Sequence, residues 1–329
     1  MRAWLPLFAL VASACAGAAP RTDAPHAQLA ASPADEGIVP PAARKTLTRK
    51  ARLRYELNGR TFPLPVVHGT VSGQPTWMLV DTGANSHVIA GWFAKKIGLP
   101  LNRLGDVGTD HAGRSIATFR VEHPRVAIDD WGELLDGPML VTDVPAIIEK
   151  LGIGAFVSPQ KLNEEGDAVV LDLALGEIRS AYFDDATRGE GTQLIDVAAR
   201  VCEDTQSPIK GLAYVAPATI GGNAAWLLVD TGAQRSDLLA GSTPGKALAP
   251  KSVPNKEQMY GASGKLTSRT IPHAKVSVGA LDYTLDVDLI GGESDPYCPR
   301  DGVLSMDVLR GCVLVLGKKR VAARCVRPQ

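Results

Sequence analysis

The chain has 329 residues, of which 45% are hydrophobic, and it carries 35 basic and 35 acidic residues. This length allows two domains of ordinary size, and the hydrophobic content is enough for two packed cores. The formal net charge is zero, so the composition favours neither a nucleic acid nor a strongly charged substrate as a partner.

The N-terminus has the features of a targeting segment. Arg2 precedes an apolar run over residues 3–12, which is too short to cross a bilayer as a stable helix. Residues 12–15 read Ala-Ser-Ala-Cys, which resembles a bacterial lipoprotein signal. The resemblance implies that Cys15 becomes a lipidated first residue and tethers the protein to a membrane. A cleaved secretory signal and an uncleaved anchor are the alternatives. We therefore predict a signal over residues 1–15 and an exported protein, in the bacterial outer membrane as a lipoprotein or in the periplasm.

Residues 16–45 are rich in Ala and Pro and show no hydrophobic periodicity. This composition is typical of a disordered tether that holds a folded part away from a membrane. A leader without any further role is the alternative. The folded part is predicted as two domains, residues 46–190 (the first half) and residues 191–329 (the second half).

Short segments rich in Val, Ile, Leu and Thr, bounded by Gly, Pro, Asn and Asp, fill most of both halves. Such segments favour β-strands. The predicted strands are residues 66–71, 77–80, 117–121, 125–128, 169–173, 214–220, 226–229, 266–271, 275–278, 283–289 and 313–316. A helical pattern is confined to residues 89–97, 144–151 and 305–309. The sequence therefore predicts a mainly β, chiefly antiparallel protein.

One eight-residue motif occurs in both halves, with a single difference between the copies. Residues 77–84 read Trp-Met-Leu-Val-Asp-Thr-Gly-Ala, and residues 226–233 read Trp-Leu-Leu-Val-Asp-Thr-Gly-Ala. The two aspartates, Asp81 and Asp230, lie 149 residues apart. Weaker matches continue in the same order. Residues 89–91 match 239–241, 112–114 match 263–265, 126–128 match 276–278, and 152–153 match 302–303. Similarity at a nearly fixed offset indicates a duplication of one structural unit.

Two carboxyl groups brought together by such a duplication can hydrolyse a peptide bond. They cannot both ionise at close range, so one stays protonated while the other acts as a base. The base activates a water, and the protonated member donates to the scissile carbonyl. Gly83 and Gly232 permit the tight loops that bring backbone N–H groups to the carboxylates. Thr82 and Thr231 can hydrogen-bond between the two loops and fix them.

With these motifs, residues 52–325 resemble the aspartic protease clan of retropepsins and pepsins. Residues 301–309, Asp-Gly-Val-Leu-Ser-Met-Asp-Val-Leu, are similar to the clan's second signature, which supports the catalytic loop from beneath. The resemblance implies two duplicated lobes of the acid protease fold with a cleft between them, within a single chain. Ser305 replaces the usual glycine of that signature. The first-half counterpart, residues 151–156, lacks the expected Asp and Leu, so its support is expected to be built differently.

The clan also closes a glycine-bearing hairpin, the flap, over its substrate. By position, residues 110–114 fit this role in the first half and residues 259–264 fit it in the second. The resemblance makes Tyr260 and Gly261 candidate flap residues. An ordinary hairpin aromatic is the alternative for Tyr260.

Four cysteines besides Cys15 lie in the second half, and an even number in an exported chain favours two disulfides. Of the three possible connectivities, we expect Cys298 with Cys312 and Cys202 with Cys325. No close Cys or His spacing suggests a metal site, and no cofactor is expected. For His87, near the first motif, a packing or surface role is favoured over a catalytic one.

The sequence thus predicts an exported aspartic endopeptidase that acts on polypeptides. The alternative is a non-catalytic pair of lobes that binds a peptide or a partner at the cell envelope. A monomer is favoured over an exchange of lobes between chains, because the connection over residues 180–205 is short and the two halves have diverged.

Overall fold

The computed structural model describes residues 13–14, 46–110, 113–134, 137–162, 165–188, 195–204, 211–255, 259–292, 294 and 298–326. These residues form a mainly β structure with several sheets, so the prediction of a mainly β protein is confirmed. Cys15 and the predicted tether, residues 16–45, lie outside the described residues. Among the helices that are described, none has the length and hydropathy needed to cross a membrane.

The chain up to residue 190 contains fourteen described strands and three α-helices, and all of these strands except β1 belong to the first half. The strands are β1 Ser13–Ala14, β2 Lys50–Arg52, β3 Arg54–Leu57, β4 Arg60–Val71, β5 Gln74–Val80, β6 Val88–Ala90, β7 Asn102–Thr109, β8 Ser115–Val121, β9 Val126–Ile128, β10 Gly132–Glu133, β11 Met139–Thr142, β12 Ile153–Val157, β13 Ala168–Asp172 and β14 Glu177–Ala181. The helices are α1 Gly91–Lys96, α2 Ala146–Leu151 and α3 Phe183–Arg188, and a 3-10 turn spans Pro159–Lys161.

The second half contains thirteen described strands and two α-helices. The strands are β15 Ile195–Val197, β16 Arg200–Asp204, β17 Gly211–Ile220, β18 Asn223–Val229, β19 Asp237–Leu239, β20 Val253–Pro254, β21 Met259–Gly261, β22 Gly264–Leu266, β23 Ser268–Val278, β24 Leu281–Ile290, β25 Gly302–Leu304, β26 Cys312–Gly317 and β27 Val321–Cys325. The helices are α4 Thr243–Leu248 and α5 Met306–Leu309, and a 3-10 turn spans Ala249–Lys251.

Each predicted strand overlaps a strand of the structure, because its residues are short apolar runs with clear boundaries. The predicted helix over residues 89–97 is wrong at its start, since Val88–Ala90 forms β6 and the helix begins at Gly91. The apolar run does not distinguish a buried strand from a helix at this point. The other two predicted helices are present as α2 and α5, each slightly shorter than expected.

Each half has a sheet of its own, and the strand that carries the Asp-Thr-Gly-Ala motif lies inside it. In the first half β5 lies between β4 and β12, with β4 antiparallel and β12 parallel to it. In the second half β18 lies in the same way between β17 and β25. The apolar residues of β5 and β18, including Leu79 and Leu228, are buried. Each such side chain stabilises the fold by about 1.5–3 kcal/mol, so both motif strands are firmly anchored.

A third sheet joins the two halves. Its order is β15-β27-β26-β13-β14-β2, so three strands from each half meet where β13 pairs with β26 in antiparallel register. Leu171 of β13 lies opposite Leu314 of β26, and both are buried. The hydroxyl of buried Tyr214 in β17 donates to the carbonyl of Gly317 at 2.7 Å, which ties the second-half sheet to this joint. The pairing fixes one half against the other.

The predicted disulfides are wrong. The structure pairs Cys202 with Cys298 and Cys312 with Cys325. Cys312 and Cys325 are direct partners across the antiparallel strands β26 and β27, whose pairing was not apparent from the sequence. The Cys202–Cys298 bond joins β16 to the segment before β25, with its Cα atoms 5.5 Å apart, a usual spacing for a disulfide.

Candidate active site

The two motif aspartates lie at the ends of equivalent strands. The amide of Asp81, just after β5, donates to the carbonyl of Val157 at the end of β12, at 2.8 Å. The amide of Asp230, just after β18, donates to the carbonyl of Leu304 at the end of β25, at 3.0 Å. A parallel strand therefore holds each catalytic candidate by its backbone, and the positions of both depend on buried sheet.

Both carboxyl groups are fully buried and accept hydrogen bonds from their own loops. Oδ1 of Asp81 accepts from the amides of Gly83 and Ala84, at 2.9 and 3.0 Å. Oδ1 of Asp230 accepts from the amide of Gly232 at 2.7 Å. Both aspartates have 0% exposure. One oxygen of each carboxyl is thus held by backbone donors, as the sequence predicts.

The motif glycines bring the two loops into contact. A Cβ placed on Gly83 would lie 2.5 Å from Cγ of Asp230, and a Cβ on Gly232 would lie 2.5 Å from Cγ of Asp81. Contacts this short between a Cβ and a carboxyl are not tolerated. Glycine is therefore required at both positions by close packing against the opposite carboxyl, a reason beyond the loop geometry expected from the sequence.

The two threonines form a symmetric set of four hydrogen bonds between the loops. The Thr82 hydroxyl donates to the carbonyl of Val229 at 2.7 Å and accepts from the amide of Thr231 at 3.0 Å. The Thr231 hydroxyl donates to the carbonyl of Val80 at 2.7 Å and accepts from the amide of Thr82 at 3.1 Å. All of these groups are buried, so the two loops are fixed to each other as one unit.

Electrostatics within this unit favour a shared proton. Burial raises the pKa of Asp81 well above its ordinary value. The charge of Asp230 and a hydrogen bond between the two carboxyls raise this pKa further, while the amides of Ala84 and Gly83 act in the opposite direction. The desolvation and like-charge effects dominate, so one proton is retained by the pair over a range in which an exposed aspartate would be ionised.

In the second half, the loop that carries Asp230 is held by the segment after β25. Both oxygens of Asp307 accept from Ser236, one from its hydroxyl at 2.6 Å and one from its amide at 2.8 Å. The Ser236 hydroxyl in turn accepts from the amide of Ser305 at 3.1 Å. The amide of Met306 donates to the carbonyl of Ala233 at 3.1 Å. Residues 305–307 therefore lie against the loop that carries Asp230.

The first half has a corresponding support that the sequence comparison missed. Val157 and Leu304 hold the two aspartates, which makes Ser158 the counterpart of Ser305 and Gln160 the counterpart of Asp307. The two N–H groups on Nε2 of buried Gln160 are shared among the carbonyls of Thr82, Ala84 and Leu212, which lie 2.8–3.0 Å from the nitrogen. The offset is thus 147 residues here, and the match of residues 152–153 to residues 302–303 is wrong.

A different alignment of the sequence could have found Gln160. Residues 155–162 and 302–309 share a serine in the fourth place and a leucine in the last place, Leu162 and Leu309. Aligning Gly152 with Gly302 gives a register that is three residues away from the one in the structure. A bulge in β12 between Ile153 and Ala155 shifts that strand relative to β25, and sequence alone does not reveal it.

His87 has a packing role in this support. It is the counterpart of Ser236, and its Nδ1 accepts from the amide of Ser158 at 3.1 Å. Burial, and then the charge of Lys161, lowers the pKa of His87 to about 3. The imidazole is therefore neutral and serves as a hydrogen-bond acceptor under the first loop.

A polar cluster without a first-half equivalent surrounds Asp288 of β24. Its Oδ1 accepts from Asn255 at 3.1 Å and Thr270 at 3.0 Å, and lies 3.1 Å from Nη2 of Arg235 in the catalytic loop. Burial nevertheless raises the pKa of Asp288 to about 7, against the opposing effects of Arg235 and Thr270. We attribute this to desolvation that outweighs the ion pair, as is common for buried charges. The corresponding first-half residue is Leu140 of β11.

The candidate flaps are two hairpins. The first hairpin is β7–β8, in which the amide of Asp110 donates to the carbonyl of Arg114. The second hairpin is β21–β22, with Tyr260 in β21 and Gly261 paired with Gly264. Among the described residues, Tyr260 makes no side-chain hydrogen bond. The structure therefore places Tyr260 and Gly261 on a hairpin, and their flap role stays a prediction.

The tips of the two hairpins are in contact. Oδ2 of Asp110 accepts from Nε of Arg114 at 3.0 Å and from the hydroxyl of Ser263, which lies in the tip of the second hairpin. Nη1 of Arg114 donates to the carbonyl of Lys265 at 3.0 Å. Asp110 has 0% exposure, and the contact is continuous from one half to the other.

A cavity of about 220 Å³ lies beside this contact. Its walls come from three places: the start of β8, the loop after β11, and the tip of the second hairpin. They consist of Ser115, Ile116, Ala117, Asp143, Val144, Pro145, Ala262, Ser263 and Gly264. Across the described part of the chain, no group of three His, Cys, Asp or Glu side chains is placed to hold a metal ion.

Comparison with known proteins finds a family match in the first half. Residues 67–166 match the family model Asp_protease_2, described as an aspartyl protease. The matched segment contains Asp81, the first hairpin and Gln160, and the second half lies outside it. No curated protein matches the chain. The region around Asp81 is thus similar to the aspartyl proteases, which supports a proteolytic hydrolase.

Proposed function

We propose that this chain is an aspartic endopeptidase in which Asp81 and Asp230 together activate a water. The observation that carries the proposal is the mutual contact of the two loops, in which each motif glycine packs against the opposite carboxyl. Such an arrangement brings two acids into one buried site. A pair that shares one proton supplies both a base for the water and an acid for the scissile carbonyl.

The proposed roles of the remaining residues follow from their contacts. The amides of Gly83, Ala84 and Gly232 orient one oxygen of each carboxyl, and Thr82 and Thr231 keep the two carboxyls at a fixed separation. Precise fixing matters because a small displacement of catalytic groups is costly to rate. The proposed architecture is two duplicated lobes with a cleft for a polypeptide, and the two hairpins serve as flaps.

The test is cleavage of a proteome-derived peptide library from pH 3 to pH 8. The parent protein is compared with Asp81→Asn and Asp230→Asn, and with Asp282→Asn as a control at a half-exposed hairpin aspartate. We expect cleavage by the parent and the control and at least a thousandfold loss in both dyad variants. Circular dichroism and thermal unfolding establish that the variants are folded. Cleavage by both dyad variants at the rate of the parent would refute the proposal.

A non-catalytic pair of lobes that binds peptides is the alternative. The difference between Gln160 and Asp307 favours it, because the two loops are supported by unlike contacts. It predicts that the parent protein retains library peptides without cutting them at any pH. A pepstatin-type inhibitor assayed by thermal shift gives a second readout of cleft binding.

We also propose that the protein is exported, is tethered through a lipidated Cys15, and acts as a monomer. The support is the lipoprotein-like segment over residues 12–15 and the meeting of Asp81 and Asp230 within one chain. Mass spectrometry of the N-terminal peptide from membrane fractions tests the lipid, and sedimentation in dilute solution tests the monomer. An unmodified Cys15 in the mature protein would rule out the lipid anchor.

A further inference from the structure

The disulfide between Cys202 and Cys298 packs beside the loop that carries Asp230. Both cysteines belong to a small apolar cluster that also contains Ala233, the last residue of the second motif. Apolar side chains of β18, which leads to Asp230, and of β25, which supports it, complete this cluster. The bond therefore contacts the motif and both of the strands that position its aspartate.

The same bond anchors the segment that holds Asp230 by its backbone. Cys298 lies six residues before Leu304, whose carbonyl accepts from the amide of Asp230 at 3.0 Å. Between them, the carboxylate of Asp301 accepts from the amide of Trp226 at 2.8 Å, and the amide of Asp301 donates to the carbonyl of Trp226 at 2.6 Å. A covalent bond at one end of this short segment thus restricts the position of the Leu304 carbonyl at the other end.

The other end of the disulfide lies at the edge of the second-half sheet. Strand β16, which carries Cys202, is the first in the strand order of that sheet and pairs with β17. The guanidinium of Arg200, also in β16, lies 3.7 Å from the ring centroid of Trp226 in β18. Cys202 is half-buried, whereas Cys298 is buried. The bond therefore fastens an edge strand to the centre of the sheet, and one of its cysteines lies within reach of a dissolved oxidant.

This relationship to a motif aspartate is specific to one half and to one disulfide. The sequence has no cysteine between Cys15 and Cys202, so the loop that carries Asp81 is positioned without a disulfide in its own half. The second disulfide joins β26 to β27 in the sheet between the halves. The first disulfide closes a separation of 96 residues and the second one of 13, and a longer closed loop constrains the unfolded chain more. Loss of the first bond should therefore act mainly on the half that contains Asp230.

From these observations we propose that the Cys202–Cys298 bond is a redox switch: Asp230 is held in its catalytic position only after these two thiols have been oxidised. A chain in a reducing compartment has a displaced Asp230 and becomes active when it meets an oxidant. The oxidant is a disulfide, which takes two electrons and two protons from the cysteine thiols and becomes two thiols. The switch rests on the proposed endopeptidase function, whereas the coupling of the bond to Asp230 does not.

Hydrogen exchange measures this coupling without any cleavage assay. The full chain carries Cys15→Ser, so that its remaining cysteines are those of the two disulfides, and it is compared before and after oxidation with glutathione disulfide. We expect the amide of Asp230 to exchange about two- to tenfold faster in the reduced chain, as for the loss of one typical hydrogen bond. The amide of Asp81, which donates to Val157 in the equivalent way, is the internal control and should keep its rate.

Two double variants assign the effect to one bond. Cys312→Ala with Cys325→Ala retains the proposed switch, so oxidation should raise its kcat by about ten- to a hundredfold, the effect of a small displacement of a catalytic group. Cys202→Ala with Cys298→Ala should keep the low kcat of the reduced chain with or without the oxidant. Circular dichroism shows whether each sample is folded. The first variant tests the switch within one chain, even if the second does not fold.

The outcomes separate the switch from the protease. Equal acceleration at Asp81 and Asp230, or no acceleration at either, would overturn the coupling whether or not the protein cleaves peptides. Faster exchange at Asp230 alone in the reduced chain, with a kcat that oxidation does not change, would overturn the switch and leave the protease intact. A protein that cleaves nothing in either state would refute the endopeptidase, and the exchange rates would still decide the coupling.

Discussion

Gln160 occupies in the first half the place that Asp307 occupies in the second, and the two residues hold the loops that carry Asp81 and Asp230 by opposite means. Gln160 donates to carbonyls, including one from β17 of the other half, whereas Asp307 accepts from an amide and a hydroxyl of its own half. The first loop is therefore tied to the opposite half by its support, and the second loop is not tied in this way by Asp307. The two halves therefore support equivalent loops with side chains of different charge.

Replacement of Gln160 tests this dependence. Gln160→Ala leaves the carbonyls of Thr82, Ala84 and Leu212 without this donor in a buried site, so we expect the free energy of unfolding to fall by about 3 kcal/mol. Urea denaturation measures the change. Gln74→Ala, at an exposed glutamine, is the matched control and should stay within about 0.5 kcal/mol of the parent. Equal stability of the two variants would contradict the proposed support.

The threonines should be equivalent by symmetry. Thr231→Val removes a bond to the Val80 carbonyl and the acceptor for the Thr82 amide, and Thr82→Val removes the matching pair. We expect each change to lower the free energy of unfolding by about 2–4 kcal/mol, while Thr→Ser at either position costs about 1 kcal/mol or less. Thermal and urea unfolding of the four variants compare them. A large loss of stability at only one of the two threonines would show that the symmetric hydrogen bonds contribute unequally to the free energy of unfolding.

Asp288 predicts a specific pH dependence of stability. Its pKa is raised from 3.8 to about 7 in the folded protein by burial. Between these values the folded state binds more protons than the unfolded state, so this residue makes the free energy of unfolding decrease as the pH rises. Asp307, with a pKa raised to about 6 mainly by burial, acts in the same direction.

Asp288→Asn keeps an acceptor oxygen but cannot ionise. We expect this variant to lose part of the fall in stability between pH 4 and pH 7, with a change in slope of at most about 1.4 kcal/mol per pH unit. Gln74→Ala, at an exposed residue that does not titrate, is the control and should keep the slope of the parent. Urea denaturation at several pH values measures it. If Asp288→Asn keeps the full parental slope, a group other than Asp288 causes the pH dependence of the free energy of unfolding.

The disulfides should differ in their contribution to stability. Cys202–Cys298 closes a separation of 96 residues and Cys312–Cys325 one of 13. If the effect lies in the unfolded chain, loss of the first should cost about 4–5 kcal/mol and loss of the second about 3 kcal/mol. Non-reducing peptide analysis checks the connectivity, and paired Cys→Ala variants check the energies. Linked peptides containing Cys298 and Cys312 would restore the pairing expected from the sequence.

The sequence predicts those features of the fold and the site that depend on residues close together in the chain. Short apolar runs predict the strands that precede Asp81 and Asp230. The repeated motif predicts the importance of its glycines and threonines. Both patterns involve residues that are neighbours in the sequence. The bulge in β12 and the pairing of β26 with β27 depend on contacts between distant segments. For that reason neither the contacts of Gln160 nor the disulfide pairing follows from the sequence. The contact of Asp110 with Ser263 likewise joins residues far apart in the chain.

The pairing of β13 with β26 has a consequence for the order in which the protein becomes competent. Both motif aspartates are synthesised before residue 231, but the strand that docks one half on the other is completed only at Gly317. A nascent chain therefore contains Asp81 and Asp230 before the sheet that joins the two halves can form. The sheet that fixes the two halves against each other is completed only when these last strands have been synthesised.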